Sequence, residues 1–195
     1  MAIFGDYVIL DYEIREKDGE MAIKSREKGF LMIYGFFPFI IPSLDFHIAK
    51  MKENEEKEIE LKPEEAFGAY NPSLVKTFNQ SFFGGKSIKV GDEVEIGDKE
   101  KKFVGTVKKI ENGRVTVDFN NPFAGKTVIS KIKIKKIIKD ENEKIRAFLD
   151  FNYGIKEFDI KEKTVKIKKE TIKEDVDELK YVFSVLFPEY ELLFE

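Results

Sequence analysis

Two groups of side chains in this sequence are of types that could carry out acid–base or metal chemistry. Glu64 and Glu65 could act as a paired acid and base, and His47 is the one histidine of the chain. Adjacent residues point in different directions, so we expect the two glutamates to be structural. A single histidine and no cysteine exclude a histidine- or thiolate-based metal cluster and a conventional catalytic triad. We therefore expect a structural His47, no metal and no cofactor.

The composition predicts several small domains without a strongly charged partner. The 195 residues are 42% hydrophobic, enough for one large domain or for two to three small ones, and we expect the latter. Lys plus Arg (34) nearly balance Asp plus Glu (37), which gives no reason to expect nucleic acid or an anionic membrane as partner. The absence of cysteine and tryptophan, with heavy use of Lys, Glu and Ile, favours a thermophilic cytosolic source.

The most apolar stretch, residues 30–42, is too short to cross a membrane. Gly35 and Pro38 interrupt it, and a bilayer needs ~20 apolar residues in a row. The first residues also lack the basic region and apolar core that are typical of a secretion signal. We therefore expect a buried strand followed by a turn here, no membrane partner and a cytoplasmic location.

Hydrophobic periodicity predicts an α+β fold for the first 70 residues. Residues 7–14 have the pattern of a strand, residues 17–20 that of a hairpin turn, and residues 57–61 alternate as a half-exposed strand. Between them Ser43 can cap a short helix. The apolar residues of that helix share one face: Leu44, Ile48 and Met51. This order predicts one helix packed on an antiparallel sheet.

Residues 71–121 have the pattern of a small separate β-domain. Turn residues separate four short segments with strand character: 87–90, 93–96, 103–110 and 114–119. Residues 127–138 are predicted to return the chain to the first sheet, with isoleucines on one face and lysines on the other. The lysine face lacks the interleaved exposed aromatics of a nucleic-acid site, so we expect no nucleic acid.

The remaining residues, 140–195, are predicted to form a C-terminal α+β domain after a linker at 140–142. The expected elements are a helix over 143–151, a hairpin pairing 158–161 with 164–168, a helix over 175–187 and a last strand over 191–194. The predicted domains are therefore 1–70 with 122–139, then 71–121, then 140–195. We expect that the last domain could support self-association.

Two motifs resemble a known family. They are Pro63-Glu64-Glu65-Ala66-Phe67-Gly68-Ala69-Tyr70 and Val115-Thr116-Val117-Asp118-Phe119-Asn120-Asn121-Pro122-Phe123-Ala124-Gly125-Lys126. They resemble the flap and return strand of an FKBP-type peptidyl-prolyl cis-trans isomerase with a SlyD-like insert, of the archaeal long type. The resemblance extends over residues 1–139. It implies an FKBP-like antiparallel half-barrel sheet around one helix, with a small β-domain inserted in the flap.

The implied reaction requires no nucleophile and no metal. Rotation about a prolyl peptide bond is opposed by amide resonance, and the barrier falls when the amide enters a dry, apolar pocket. The signature of such a site is an aromatic-lined cup. The resemblance assigns the cup to these residues: Tyr12, Phe30, Ile40, Ile41, Leu44 and Phe67.

Several pocket positions depart from the family pattern. Phe67 stands where the family has a tyrosine that donates its hydroxyl to the substrate carbonyl, and Ile23 where it has an acidic residue. Other replacements are Ala22, Leu44 and Ser130 for aromatic residues, Ser43 for glycine and Asn121 for a common histidine. A lost donor to the transition state lowers the rate. We therefore expect weak or absent isomerase activity.

In SlyD-like proteins the insert binds unfolded chains, and three phenylalanines are the candidates here: Phe78, Phe82 and Phe83. They could form an adaptable binding surface or fill the core of the small domain. The expected function is a folding helper that binds unfolded or proline-containing chains. Two alternatives remain: an interaction or assembly module with a filled cup, and an active isomerase with a rearranged pocket.

Overall fold

A computed structural model describes residues 1–85, 87–97, 101–172 and 175–195. In these ranges the chain is a mixed α/β protein with few helices and mostly antiparallel strand pairs. None of the described helices is long and apolar enough to cross a membrane. The strands are β1 (Tyr7–Glu16), β2 (Ala22–Lys24), β3 (Phe30–Ile33), β4 (Glu56–Leu61), β5 (Val75–Asn79), β6 (Glu93–Gly97), β7 (Lys102–Glu111), β8 (Arg114–Asp118), β9 (Val128–Ile138), β10 (Phe158–Lys161), β11 (Thr164–Ile167) and β12 (Glu191–Phe194). The α-helices are α1 (Asp45–Lys50), α2 (Glu141–Tyr153) and α3 (Val176–Leu186).

The chain divides into two compact units. The first contains residues 1–14, 22–59 and 130–195, and the second contains residues 15–21 and 60–129. The three-domain division made from the sequence stays a prediction.

A five-stranded sheet carries the N-terminal part of the first unit. Its order is β2-β1-β9-β4, and β3 pairs antiparallel with β1, placing Leu10 opposite Phe30. The predicted apolar face of α1 is confirmed, because Leu44, Ile48 and Met51 are all buried. The predicted cap at Ser43 is wrong. A 3-10 turn over Pro42–Leu44 leads directly into α1, which begins without a side-chain cap.

The C-terminal residues build a second core within the first unit. Helix α2 begins at the predicted linker, because the Asp140 side chain accepts a hydrogen bond from the Glu143 amide and caps the helix. The predicted hairpin β10–β11 is present, and β12 lies parallel to β11. Phe148 of α2 and Phe183 of α3 are buried in one cluster with Tyr7 of β1.

The second unit contains a four-stranded sheet in the order β5-β8-β7-β6. Its buried core consists of Val107, Val115 and Val117. The sequence predicted β6, β7 and β8 but not β5, which pairs antiparallel with β8. The strand predicted over residues 87–90 is absent: Ile88 packs against the valine core, but the segment pairs with none of the described strands.

Candidate functional site

Three aromatic rings in the first unit contact one another edge to face. The ring centroids of Tyr12 and Phe30 lie 5.9 Å apart, those of Tyr12 and Phe39 5.3 Å, and those of Phe30 and Phe39 5.5 Å. Edge-to-face contact places the positive edge of one ring against the negative face of the next. We call these residues the three-ring cluster. The sequence identified Tyr12 and Phe30 but not Phe39.

Phe39 is the most enclosed member of the three-ring cluster. Only 1% of its surface is exposed, and its backbone amide donates a hydrogen bond to Asp45 Oδ1 at 2.9 Å. Burial raises the pKa of the Asp45 carboxyl, and the hydrogen bond from Phe39 opposes that change. Asp45 is the first residue of α1, so the helix fixes the segment that carries Phe39.

The other predicted cup residues of the first unit do not share one environment. Ile41 and Leu44 are fully buried, whereas Ile40 is exposed. Ile40 and Ile41 lie in a bend that leads into the 3-10 turn, and the bend separates the environments of their side chains. Ile41 and Leu44 therefore support the core, and Ile40 is available at the surface.

A cavity of about 340 Å³ lies beside Tyr12 and Phe30. Its other walls include Lys24 at the end of β2, and Arg26 and Lys28 from the segment between β2 and β3. Burial raises the pKa of the Tyr12 hydroxyl, and the Arg26 guanidinium acts in the opposite direction because it favours the phenolate. An aromatic wall and a cationic wall thus meet at Tyr12.

Phe67, the sixth predicted cup residue, belongs to the second unit. Its ring stacks on the ring of Phe123, with centroids 5.2 Å apart and an angle of 24° between the planes. Phe67 is half-buried and carries no hydroxyl. It can supply an apolar surface but no hydrogen bond.

The two sequence motifs are joined by hydrogen bonds inside the second unit. The Tyr70 hydroxyl donates to Asp118 Oδ2 at 3.1 Å, and the Asn71 amide donates to Asn120 Oδ1 at 2.9 Å. Asn120 Nδ2 donates in return to the Asn71 carbonyl. We call these four residues the clasp. The clasp holds together the points at which the chain enters and leaves the β5–β8 sheet.

A glycine lets the motifs approach closely at the clasp. Gly125 has a φ of +76°, and a Cβ at this position would lie 3.0 Å from the Cβ of Tyr70. Its amide donates to the Gly68 carbonyl at 2.8 Å. The clasp also lowers the pKa of the Asp118 carboxyl. Burial alone would raise this pKa, but the hydrogen bonds from Asn120 and Tyr70 favour the carboxylate and outweigh burial.

The three phenylalanines predicted to bind chains have two different environments. Phe78 and Phe83 pack against the valine core, whereas Phe82 is 60% exposed. The ring of Phe82 stacks on Phe78 at 5.3 Å and meets Phe83 edge to face at 5.5 Å. Two half-buried rings thus cover the valine core, and the third ring contacts them at the surface.

A surface groove of about 800 Å³ runs beside Phe82. Phe83, Ile88 and Val94 supply its apolar floor. Its acidic residues are Asp92, Glu93 and Glu95. The groove can receive an extended apolar segment, and its acidic border favours segments that also carry positive charge.

The remaining candidate residues have structural surroundings. His47 and Glu64 are exposed, and the Glu65 carboxylate accepts a hydrogen bond from the Lys62 amide at 3.1 Å. Ile23 lies exposed on β2. Ser130 on β9 is fully buried, and its hydroxyl has no hydrogen-bond partner among the described residues. No group of three or more His, Asp or Glu within the described ranges could hold a metal ion.

Clustered aromatic rings that exclude water suit a reaction in which an amide leaves water and rotates. The chain belongs to the FKBP-type peptidyl-prolyl cis-trans isomerase family, whose sequence model matches residues 2–119. The resemblance drawn from the two motifs is confirmed. The matched residues include the three-ring cluster and most of the second unit.

Relatives of known name agree with this family. The isomerase SlyD of Helicobacter pylori is 28% identical over 142 residues, which cover 71% of this chain and 76% of that protein. A probable FKBP-type 16 kDa isomerase of Pseudomonas fluorescens is 27% identical, over 65% of this chain and 85% of that protein. A short-type isomerase of the archaeon Methanocaldococcus jannaschii is 25% identical, over 71% and 96%.

Proposed function

We propose that this protein is a folding helper that binds unfolded or proline-containing polypeptides and has lower isomerase activity than is usual in its family. The observation that carries the proposal is the exposed ring of Phe82 beside a groove with an apolar floor. An exposed ring supported by two half-buried rings presents apolar area at little entropic cost, because its neighbours already fix its position.

Reduced catalysis is supported by two features. Phe67 offers no hydroxyl to a substrate carbonyl, and Phe39 occupies space beside Tyr12 and Phe30. A missing hydrogen-bond donor can cost about 3 kcal/mol of transition-state stabilisation in demanding enzymes. A filled cup further limits how deeply a proline ring can enter.

The test of chain binding is the suppression of aggregation of an unrelated unfolded protein. Phe82→Ala is the informative variant, and Phe46→Ala is its matched control because Phe46 is also 60% exposed. We expect the full chain and the control variant to suppress aggregation and Phe82→Ala to lose most of the effect. Equal suppression by all three proteins would contradict the role of the groove.

The test of catalysis is the isomerisation rate of a short prolyl peptide, which NMR exchange spectroscopy measures. We expect acceleration well below that of a family member with the tyrosine hydroxyl. A rate equal to that of such a protein would instead support an active isomerase with a rearranged pocket.

One observation favours a second function, a non-catalytic assembly module. Helix α3 exposes Tyr181 (71%) and Val185 (50%) one turn apart, where a second copy could pack. Analytical ultracentrifugation of the full chain and of Tyr181→Glu tests this function. A dimer that the substitution abolishes would support it, and a monomer at all concentrations would exclude it.

The proposal includes a domain division and a location. An FKBP-like half-barrel over 1–70 and 122–139 would contain the cup, the insert over 71–121 would bind chains, and residues 140–195 would form a C-terminal domain. Native-state hydrogen exchange tests this division, since the three segments should lose protection as separate cooperative units. We also propose a cytoplasmic location in a thermophilic archaeon.

A further inference from the structure

The cavity beside Tyr12 and Phe30 is positively charged. Lys24, Arg26 and Lys28 line it, and none of its lining residues is an Asp or a Glu. The cavity therefore carries an excess of positive charge.

Two of the three cations are free to bind an anion. Among the described residues neither Lys24 nor Arg26 forms an ion pair. Lys28 is already engaged, because its Nζ donates to the Asp150 carbonyl at 3.0 Å and lies 3.7 Å from Asp150 Oδ1. Lys24 and Arg26 thus provide the unsatisfied charge.

The cavity on the other side of Tyr12 provides a contrast. Lys24 borders this cavity too, together with Lys131 and Lys133, but so do the carboxylates of Asp11, Glu13 and Glu56. Lys131 is paired with Glu56 at 3.1 Å. Balanced charge there leaves little attraction for an anion.

The C-terminal region completes the cationic cavity. Phe151 and Asn152, at the end of α2, form part of its wall. Lys28 Nζ lies 4.6 Å from the centroid of the Phe151 ring and fixes this wall in place. The volume, about 340 Å³, is at the lower end of the range of ligand sites, roughly 300–1,000 Å³.

We propose that this cavity is a subsite for an acidic side chain close to the proline of a bound polypeptide. The inference rests on the proposed function, since it assumes that chains bind at the three-ring cluster, two of whose rings line the cavity. A carboxylate between Lys24 and Arg26 would gain two partly screened interactions. We expect a preference of about three- to tenfold at low ionic strength, decreasing as salt is added.

The test compares two fluorescent proline peptides that differ only in glutamate or glutamine beside the proline. Their dissociation constants are measured with the full chain at low and high salt. The informative variants are Arg26→Gln and Lys24→Gln, alone and combined. Lys139→Gln is the matched control, because Lys139 is an exposed lysine of the same unit that does not line the cavity. Circular dichroism verifies that each variant is folded.

We expect the glutamate peptide to bind more tightly to the parent and the control, and the preference to disappear in the double variant. Equal binding of both peptides to the parent overturns the subsite but leaves the proposed function standing. A glutamate preference that survives in the folded double variant also overturns the subsite. Failure of both peptides to bind, with no suppression of aggregation, overturns both proposals.

Discussion

The ring of Phe39 stands edge-on to the ring of Tyr12, with centroids 5.3 Å apart and an angle of 80° between the planes. Tyr12 is half-buried on β1, while Phe39 is enclosed and held through its amide by Asp45. The pair joins the sheet to the segment before α1. A ring in this position stabilises the core and occupies space beside Tyr12 and Phe30.

Removing the Phe39 ring should destabilise the first unit. We expect Phe39→Ala to lower the free energy of unfolding by about 3–5 kcal/mol, because the substitution leaves a cavity among buried residues. Denaturant unfolding measures this change. Phe36→Ala is the control, since Phe36 is 45% exposed and should cost about 1 kcal/mol or less. Similar decreases in the free energy of unfolding for both variants would contradict the burial of Phe39.

Restoring a hydroxyl at position 67 should raise isomerase activity. We expect Phe67→Tyr to increase the rate of prolyl isomerisation by up to about tenfold, equivalent to ~1.4 kcal/mol of transition-state stabilisation. The measurement is the exchange rate of a prolyl peptide. Phe46→Tyr adds the same hydroxyl at an exposed position outside the cup and should leave the rate unchanged. No gain for Phe67→Tyr would show that the missing hydroxyl does not limit catalysis.

The clasp should make stability depend on pH. The pKa of Asp118 is lowered in the folded protein, so its hydrogen bonds contribute stability above the unfolded pKa of about 3.9. That contribution is lost as the pH falls through the folded value. Tyr70→Phe removes one donor and should lower the denaturation midpoint at pH 7 more than at pH 3. Tyr181→Phe, at an exposed hydroxyl, should change neither midpoint. If Tyr70→Phe lowered the denaturation midpoint equally at both pH values, a charged Asp118 as the partner of Tyr70 would be contradicted.

Removing the Ser130 hydroxyl should stabilise the protein. The side chain is fully buried, and its hydroxyl forms no hydrogen bond with any described residue. We expect Ser130→Ala to raise the free energy of unfolding by about 1 kcal/mol, because an unpaired buried hydroxyl is costly. Ser184→Ala serves as control, since that hydroxyl donates to the Tyr181 carbonyl at 2.8 Å and lies at the surface. A loss of stability in Ser130→Ala would indicate an ordered water at this hydroxyl.

Strand positions were predictable where apolar and polar residues alternate. The return strand β9 is an example: Ile132 and Ile134 are buried, and Lys131 and Lys133 are exposed, as the alternation requires. At residues 87–90 alternation alone predicted a strand that the structure does not contain. One half-buried side chain, Ile88, satisfies such a pattern without a partner strand among the described residues.

The candidate site was less predictable because its residues lie in uniformly apolar sequence. Residues 30–42 are nearly all apolar, so periodicity could not show that Phe39 points inward while Phe36 and Ile40 are exposed. A different limit applied to Phe78, Phe82 and Phe83, which lie among polar residues and glycines and show no periodic apolar face. Their separation into core and surface depends on β5, whose partner β8 is distant in sequence.

The clasp allows the chain between Asn71 and Asn120 to vary in length. Asn71 and Asn120 are hydrogen-bonded to each other directly. The two ends of the segment that contains β5 to β8 are therefore held together independently of the length of that segment. Closing a longer flexible loop costs only about 0.6 kcal/mol for each doubling of its length. The segment could therefore be shortened, extended or exchanged for another small sheet, with little change in the distance that the rest of the fold has to bridge.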